Sequence, residues 1–427
     1  MTLHLIRMKK ILLVIAVTLT CSDFFGGSSK CFAQLSPAIT HWVMNDGTNG
    51  FAGISTNVQL VQYSTNNVYV NCSDIASWIP VGYDWPNNPW FPQDMGFTFK
   101  ITLNPQQNTG QLVAPWFGHI GVWMNGVSIY NPMDAKTYLD SGVWYQNAVY
   151  FEHLETETMD SCLGHPNGLH EYHLHVHPKC LWNETDNTVH SPLLGYAFDG
   201  FPIYGSYTYA NTNGTGPITR MTSSYRLRNI TDRTTLPDGT ILQPQYYGPS
   251  LATYPLGAYI QDYEYAPGLG TLDSLNGRFC ITPEYPSGTY AYFVTLDNSF
   301  NPTYPYVLGP KYYGTVQPGN TGPNSGFNTV SESTTVYNSV NDGWQFEVGR
   351  LLIYPNPVAD ELHFKLSSSE NYLTGSIYNS FGEIIKTGIV YSGIDYRFDV
   401  STLPSGIYFF KVFSSSKSST NSFVISK

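Results

Sequence analysis

Six of the eleven histidines in this 427-residue chain lie between His165 and His190, and three alternate in His173-Leu174-His175-Val176-His177. Imidazole nitrogens bind divalent transition metals, and a β-strand aims every second side chain to the same side, so this is a metal-site spacing. On a strand His173, His175 and His177 share one face, while Tyr172, Leu174 and Val176 share the other. Neighbours on one face sit about 6.5–7 Å apart at the backbone, close enough to meet on one ion, whereas the outer pair is about 13 Å apart. Two of the three can therefore act together. His173 and His175 are the expected pair, because His177 precedes Pro178, where a strand should end. His165, in the Gly164-His165-Pro166 turn, is the expected third ligand, and zinc or copper suits such donors. Asp160 and Asp199 are carboxylates that could add a fourth, although Asp199-Gly200 reads first as a hairpin turn. His119, His153 and His190 stand alone in sequence and read as surface or hydrogen-bonded core residues.

Two cysteines bracket the cluster. A bond between Cys162 and Cys180 would close a loop around the ligands, while a Cys2His2 zinc site is the competing use of the same residues. The export signals favour the disulfide, since thiols in an oxidising compartment tend to pair. Arg7, Lys9 and Lys10 precede the apolar run Ile11 to Leu19, and a polar stretch ends at Ala33, which reads as a signal peptide over residues 1–33. Cleavage there leaves Cys72, Cys162, Cys180 and Cys280, enough for the local bridge and a second from Cys72 to Cys280.

The elements that must position these groups are strands. Charged residues make up 12% of the chain, about half the usual share, and 38 Gly, 28 Pro and 33 Tyr mark short strands and turns with no convincing helix. Asn125-Gly126, between two apolar runs, is a strong hairpin signal. The net charge of −11 argues against nucleic acid as a partner, and no apolar stretch is long enough for a stable transmembrane segment. Phosphate-binding glycine loops, Gly-x-Ser-x-Gly elbows and His-Glu-x-x-His helices are missing, so an enzyme here would be metal-dependent, a hydrolase or a copper oxidoreductase. The acidic run Glu152, Glu155, Glu157 and Asp160 is expected to face solvent.

Gln317-Pro318-Gly319-Asn320-Thr321-Gly322-Pro323 opens a stretch of linker chemistry over residues 315–350. From Leu351 the sequence reads Leu-Leu-Ile-Tyr354-Pro355-Asn356-Pro357 and closes with Leu403-Pro404-Ser405-Gly406-Ile407-Tyr408, a small immunoglobulin-like β-sandwich by its short alternating strands. These residues resemble the C-terminal sorting domain of the type IX secretion system of Bacteroidetes. The resemblance implies that the secretion machinery is a partner, that the chain crosses the periplasm and outer membrane to the cell surface or exterior, and that residues 351–427 are removed on the way.

Four further blocks occur in order: Asp160 to Leu181; Leu193-Leu194-Gly195-Tyr196-Ala197-Phe198-Asp199-Gly200-Phe201-Pro202-Ile203-Tyr204-Gly205; Leu272-Asp273 with Asn276-Gly277-Arg278-Phe279; and Tyr285-Pro286-Ser287-Gly288-Thr289-Tyr290-Ala291-Tyr292-Phe293. Together they resemble the YHYH domain family, whose Tyr-His-Tyr-His element stands here as Tyr172-His173-Leu174-His175. Both histidines remain and the second tyrosine is leucine. The resemblance implies a large, mainly β, sandwich-like domain over residues 34–314 and supplies no reaction. A secreted divalent-metal-binding protein is therefore the first expectation. The alternative is a non-catalytic surface module binding extracellular glycan or adhering through exposed rings, with Trp78, Trp85 and Trp90 as stacking platforms, although packing of those rings is the commoner outcome.

Overall fold

The computed structural model describes residues 35–322, 324–337, 350–354, 356–367, 372–379, 383–391, 394–413 and 418–427. The expected signal peptide lies outside these residues.

Period-two burial builds the main domain. Along Phe97–Thr102, Phe97, Phe99 and Ile101 are buried and the residues between them are only half-buried. That strand pairs with Asn67–Cys72, which pairs with Val58–Tyr63 and then Thr335–Val336, giving a four-stranded sheet. Its apolar face, with Val58, Val61, Val70, Phe97 and Phe99, shares one core with Val122, Tyr196, Tyr204 and Phe293 of an eight-stranded sheet. The eight strands run in the order Gly277–Cys280, Thr289–Phe293, Pro202–Tyr204, Leu193–Ala197, His119–Trp123, Ser128–Tyr130, Tyr172–Leu174, Gly164–Pro166. The opposite face of this sheet, with Trp123, Ile129, Tyr172, Leu174 and Ile203, fills a second core. Both faces being covered explains why several strands read as unbroken apolar runs rather than alternating ones.

The expected hairpins form. Gly126 donates to the Trp123 carbonyl at 2.8 Å and has a φ of +82°, and a Cβ there would lie 2.5 Å from the Cβ of Cys72. Conformation and close approach therefore both require glycine at this turn. The hairpin matters to the site, because Ser128–Tyr130 takes Tyr172–Leu174 as its parallel partner, Ser128 opposite His173.

Two expectations are corrected, and part of the expected linker at 315–350 is placed. Residues 315–322 and 324–337 lie along the main domain: Gln317 donates to the Phe198 carbonyl, Asn320 bonds both the N–H and the carbonyl of Lys100, and Glu332 accepts from Tyr69 and Asn67. The Asn320 amide pairs with the open edge of the Phe97–Thr102 strand, so a stretch of loop composition forms an ordered strap. The Cys72–Cys280 bridge is not formed: both are buried thiols, Cys72 opposite Phe97 in the four-stranded sheet and Cys280 opposite Thr289 in the other sheet. Helical structure is present as well, as a π-helical segment Val149–Glu155.

Among the described residues, seven strands of the C-terminal region form a sandwich. Arg350–Tyr354, Glu361–Ser367 and Asp395–Asp399 form one sheet, and Ile384–Tyr391, Tyr372–Asn379, Gly406–Phe413 and Ser418–Ile425 the other. Leu362, Phe364, Ile377, Tyr408, Phe410 and Phe423 pack between them.

Candidate metal centre

The histidine strand is shorter than its alternation suggests, ending at Leu174. It pairs antiparallel with Gly164–Pro166, placing His165 directly opposite His173, with ring centroids 4.6 Å apart. Just past the strand end, His175 remains on the same side, its Nε2 3.1 Å from the Nε2 of His173. His165, His173 and His175 are all buried, and their candidate ligand nitrogens lie within 4.8 Å of one another.

Backbone carbonyls set the tautomers. Nδ1 of His175 donates to the Asn131 carbonyl at 2.6 Å and Nδ1 of His173 to the Glu171 carbonyl at 3.2 Å. A carbonyl only accepts, so each neutral ring carries its proton on Nδ1 and turns a bare Nε2 lone pair toward the other. Two bare lone pairs 3.1 Å apart repel unless a proton or a metal ion lies between them. This is also how metal-ligating histidines are oriented, by a hydrogen bond at the far nitrogen.

A fourth group joins them. Glu152, on the Val149–Glu155 segment, places Oε2 3.2 Å from Nε2 of both His165 and His175, with its side chain 18% exposed. It does not face solvent as the acidic run was expected to. Burial pushes the Glu152 carboxyl up, but His165 and His175 outweigh it and hold the group well below its usual range. The same contact raises His175 against its burial, while burial and its neighbours His165 and His175 push His173 well down. Bonds of 2.0–2.2 Å give donor separations of roughly 3.3–3.6 Å around a tetrahedral ion, so these atoms stand slightly inside ligand spacing.

Behind the ligands, the Tyr130 ring stacks on His173 at 3.7 Å between centroids and 22° between planes. Its hydroxyl donates to the Glu171 carboxylate, which also accepts from Asn167. His119 packs against Tyr130, Phe97 and Phe99 and bonds Ser325 through Nε2, outside the group of three.

The other expected residues are placed as follows. Cys162 and Cys180 form a disulfide whose loop contains all three histidines. Asp160 lies on the far side of the strand: it accepts from the amides of Cys162 and Gly164 and from the Tyr172 hydroxyl, so it shapes the turn that presents His165. Asp199 is buried at its hairpin, bonded to Tyr292 and to the Gly314 amide, and burial lifts it to about 6. His177 is buried outside the group. Of the three tryptophans, Trp85 is buried and donates to the Gly164 carbonyl, and Trp78 donates to the Tyr172 hydroxyl. Both rings wall the histidine hairpin; Trp78 is half-buried, and of the three Trp90 is exposed, set edge-on to His170.

Residues 98–305 match the family described as YHYH protein, and residues 352–426 match the secretion system C-terminal sorting domain. The chain carries a YHYH domain followed by a sorting domain. The family match spans the histidine hairpin, Tyr130 and Glu152 alike. No curated protein matches the chain. The sorting domain marks the protein for export by the type IX machinery to the cell surface or beyond, and among the described residues no helix is long and apolar enough to cross a membrane.

Glu152 and Tyr130 escaped the sequence reading. Glu152 sits in a run of like charges with no distinctive spacing, and one clue was available: between Gly142 and Gly164 the chain has neither glycine nor proline, which in so turn-rich a sequence points to a continuous element.

Proposed function

We propose that this exported YHYH-domain protein binds one divalent transition metal ion, zinc or copper, through the Nε2 atoms of His165, His173 and His175, and that this centre is its functional site. The observation that carries the reading is the pair of carbonyl-fixed imidazoles, His173 and His175, whose Nε2 atoms meet at 3.1 Å in a buried setting. Bound zinc or copper would supply Lewis-acid or redox chemistry. The chain's own residues do the rest: the Asn131 and Glu171 carbonyls fix the ring tautomers, Tyr130 stacks against His173, and the Cys162–Cys180 bridge holds the ligand loop closed. Calorimetric titration of the chelator-treated protein with Zn(II) and Cu(II) tests this. One ion bound per chain supports it, and no saturable binding of either ion refutes it.

We read the folded export product as the main domain, from after the signal peptide to about residue 337, joined to the sorting domain at 351–427. The strap at 315–337 supports placing the boundary later than residue 314.

A further inference from the structure

Resting on that reading, we propose that Glu152 is an anionic fourth ligand, so that the centre is of three-histidine, one-carboxylate type and ties the Val149–Glu155 segment to the histidine hairpin.

Three observations carry this beyond the histidines. First, Oε2 of Glu152 is 3.2 Å from Nε2 of both His165 and His175, matching the 3.1 Å between His173 and His175. These three separations are close to those of donors sharing one small cation, roughly 3.3–3.6 Å. Second, Glu152 Oε2 and His165 Nε2 are buried and neither makes a well-directed hydrogen bond, although they lie 3.2 Å apart. A simple ion pair at that distance aims an N–H at the oxygen; here the two atoms approach without that alignment, as donors directed at a third centre do. Third, the backbone supports a dedicated placement. Glu152 comes from a π-helical segment, a rare turn that costs backbone stability and recurs where a side chain must be aimed at a site.

The consequences are chemical and mechanical. Three neutral imidazoles leave a divalent ion with its full charge in a buried site; one carboxylate halves it. The histidines all come from residues 165–175 within one disulfide loop, whereas Glu152 lies outside that loop, so a bound ion cross-links two segments. Glu152 is also the most exposed of the four side chains, which makes it the ligand an incoming molecule would displace.

The test compares the full exported protein with its Glu152→Gln variant, which keeps shape and loses charge. Zn(II) affinity by calorimetry should fall at least about 10-fold in the variant, the smallest loss expected when a group at a metal site is removed. Cu(II) bound to the two proteins should give different electron paramagnetic resonance parameters. Hydrogen exchange of the unaltered protein provides a readout independent of the variant's folding: Zn(II) should slow exchange across residues 149–155 as well as 165–175. Affinity within twofold of the parent, or protection at 165–175 with none at 149–155, overturns the Glu152 assignment and leaves the histidine site standing. Absence of Zn(II) and Cu(II) binding by the parent protein defeats the metal reading itself.

Discussion

His165 and His173 occupy directly opposed positions on two antiparallel strands, their rings 4.6 Å apart, and one is contributed from each side of the Asn167–Glu171 turn. Opposed residues in such a pair approach closely enough for their side chains to act as a unit. His175 adds a third nitrogen from just beyond the strand end.

The first prediction follows from that pairing. His165→Ala, His173→Ala and His175→Ala should each weaken Zn(II) binding by at least about 100-fold, since every one removes a ligand from a small donor set. His177→Ala should change it less than about threefold, because His177 lies outside the group. Calorimetry on the four variants decides this; equal small losses throughout would reduce the cluster to a nonspecific histidine-rich patch.

The second concerns the bridge. Cys162 and Cys180 are 18 residues apart, and closing a loop of that size is worth about 3 kcal/mol in the chain-entropy account. The Cys162→Ser, Cys180→Ser double variant should unfold at lower urea concentration by that margin and bind Zn(II) more weakly. Unchanged stability and affinity would mean that the loop holds its shape without the bond.

The large and small β architectures, the hairpins at Asn125-Gly126 and Asp199-Gly200, and the trio His165, His173 and His175 were legible because each depends on local chemistry: turn residues, period-two burial, and ligands within eleven residues of one another. What was not legible depends on long-range packing. Glu152 reaches the histidines only because a π-helical turn docks beside them, and Tyr130 only because a parallel strand pairing sets Ser128 opposite His173. The strap at 315–337 carries linker composition, and its order comes from amide contacts to strands more than 200 residues away, such as Asn320 to Lys100. Cys72 and Cys280 show the reverse failure: an even cysteine count suggested a bridge, yet both are buried free thiols, one on each of the two sheets that share a core.

A third prediction is a pH dependence. Burial pushes His119 down to about 4, partly countered by a backbone hydrogen bond at Asn320, against roughly 6.5 in an unfolded chain. Between those values the unfolded state binds more protons, so stability is fully present above pH 6.5 and is lost as the pH falls towards 4, by about 3 kcal/mol from this residue. Urea denaturation in chelator at pH 7 and pH 4.5 should show a steeper loss for the unaltered protein than for His119→Gln. Parallel losses would exclude His119 as the source.

A fourth concerns processing. The sorting domain begins near Leu351, beyond the last described strand of the main domain at Thr335–Val336. Intact mass of the protein recovered outside the cell should correspond to a C-terminus between residues 337 and 351. A secreted product ending at Lys427 would contradict removal of the domain.

The central claim is that His165, His173 and His175 hold one metal ion, and anomalous diffraction from crystals of the Zn(II)-loaded protein, collected on either side of the zinc edge, tests it most directly. A single strong peak in contact with the Nε2 atoms of these three histidines is expected. Crystals of protein loaded with one equivalent of Zn(II) that show the peak elsewhere, or none at all, would contradict it.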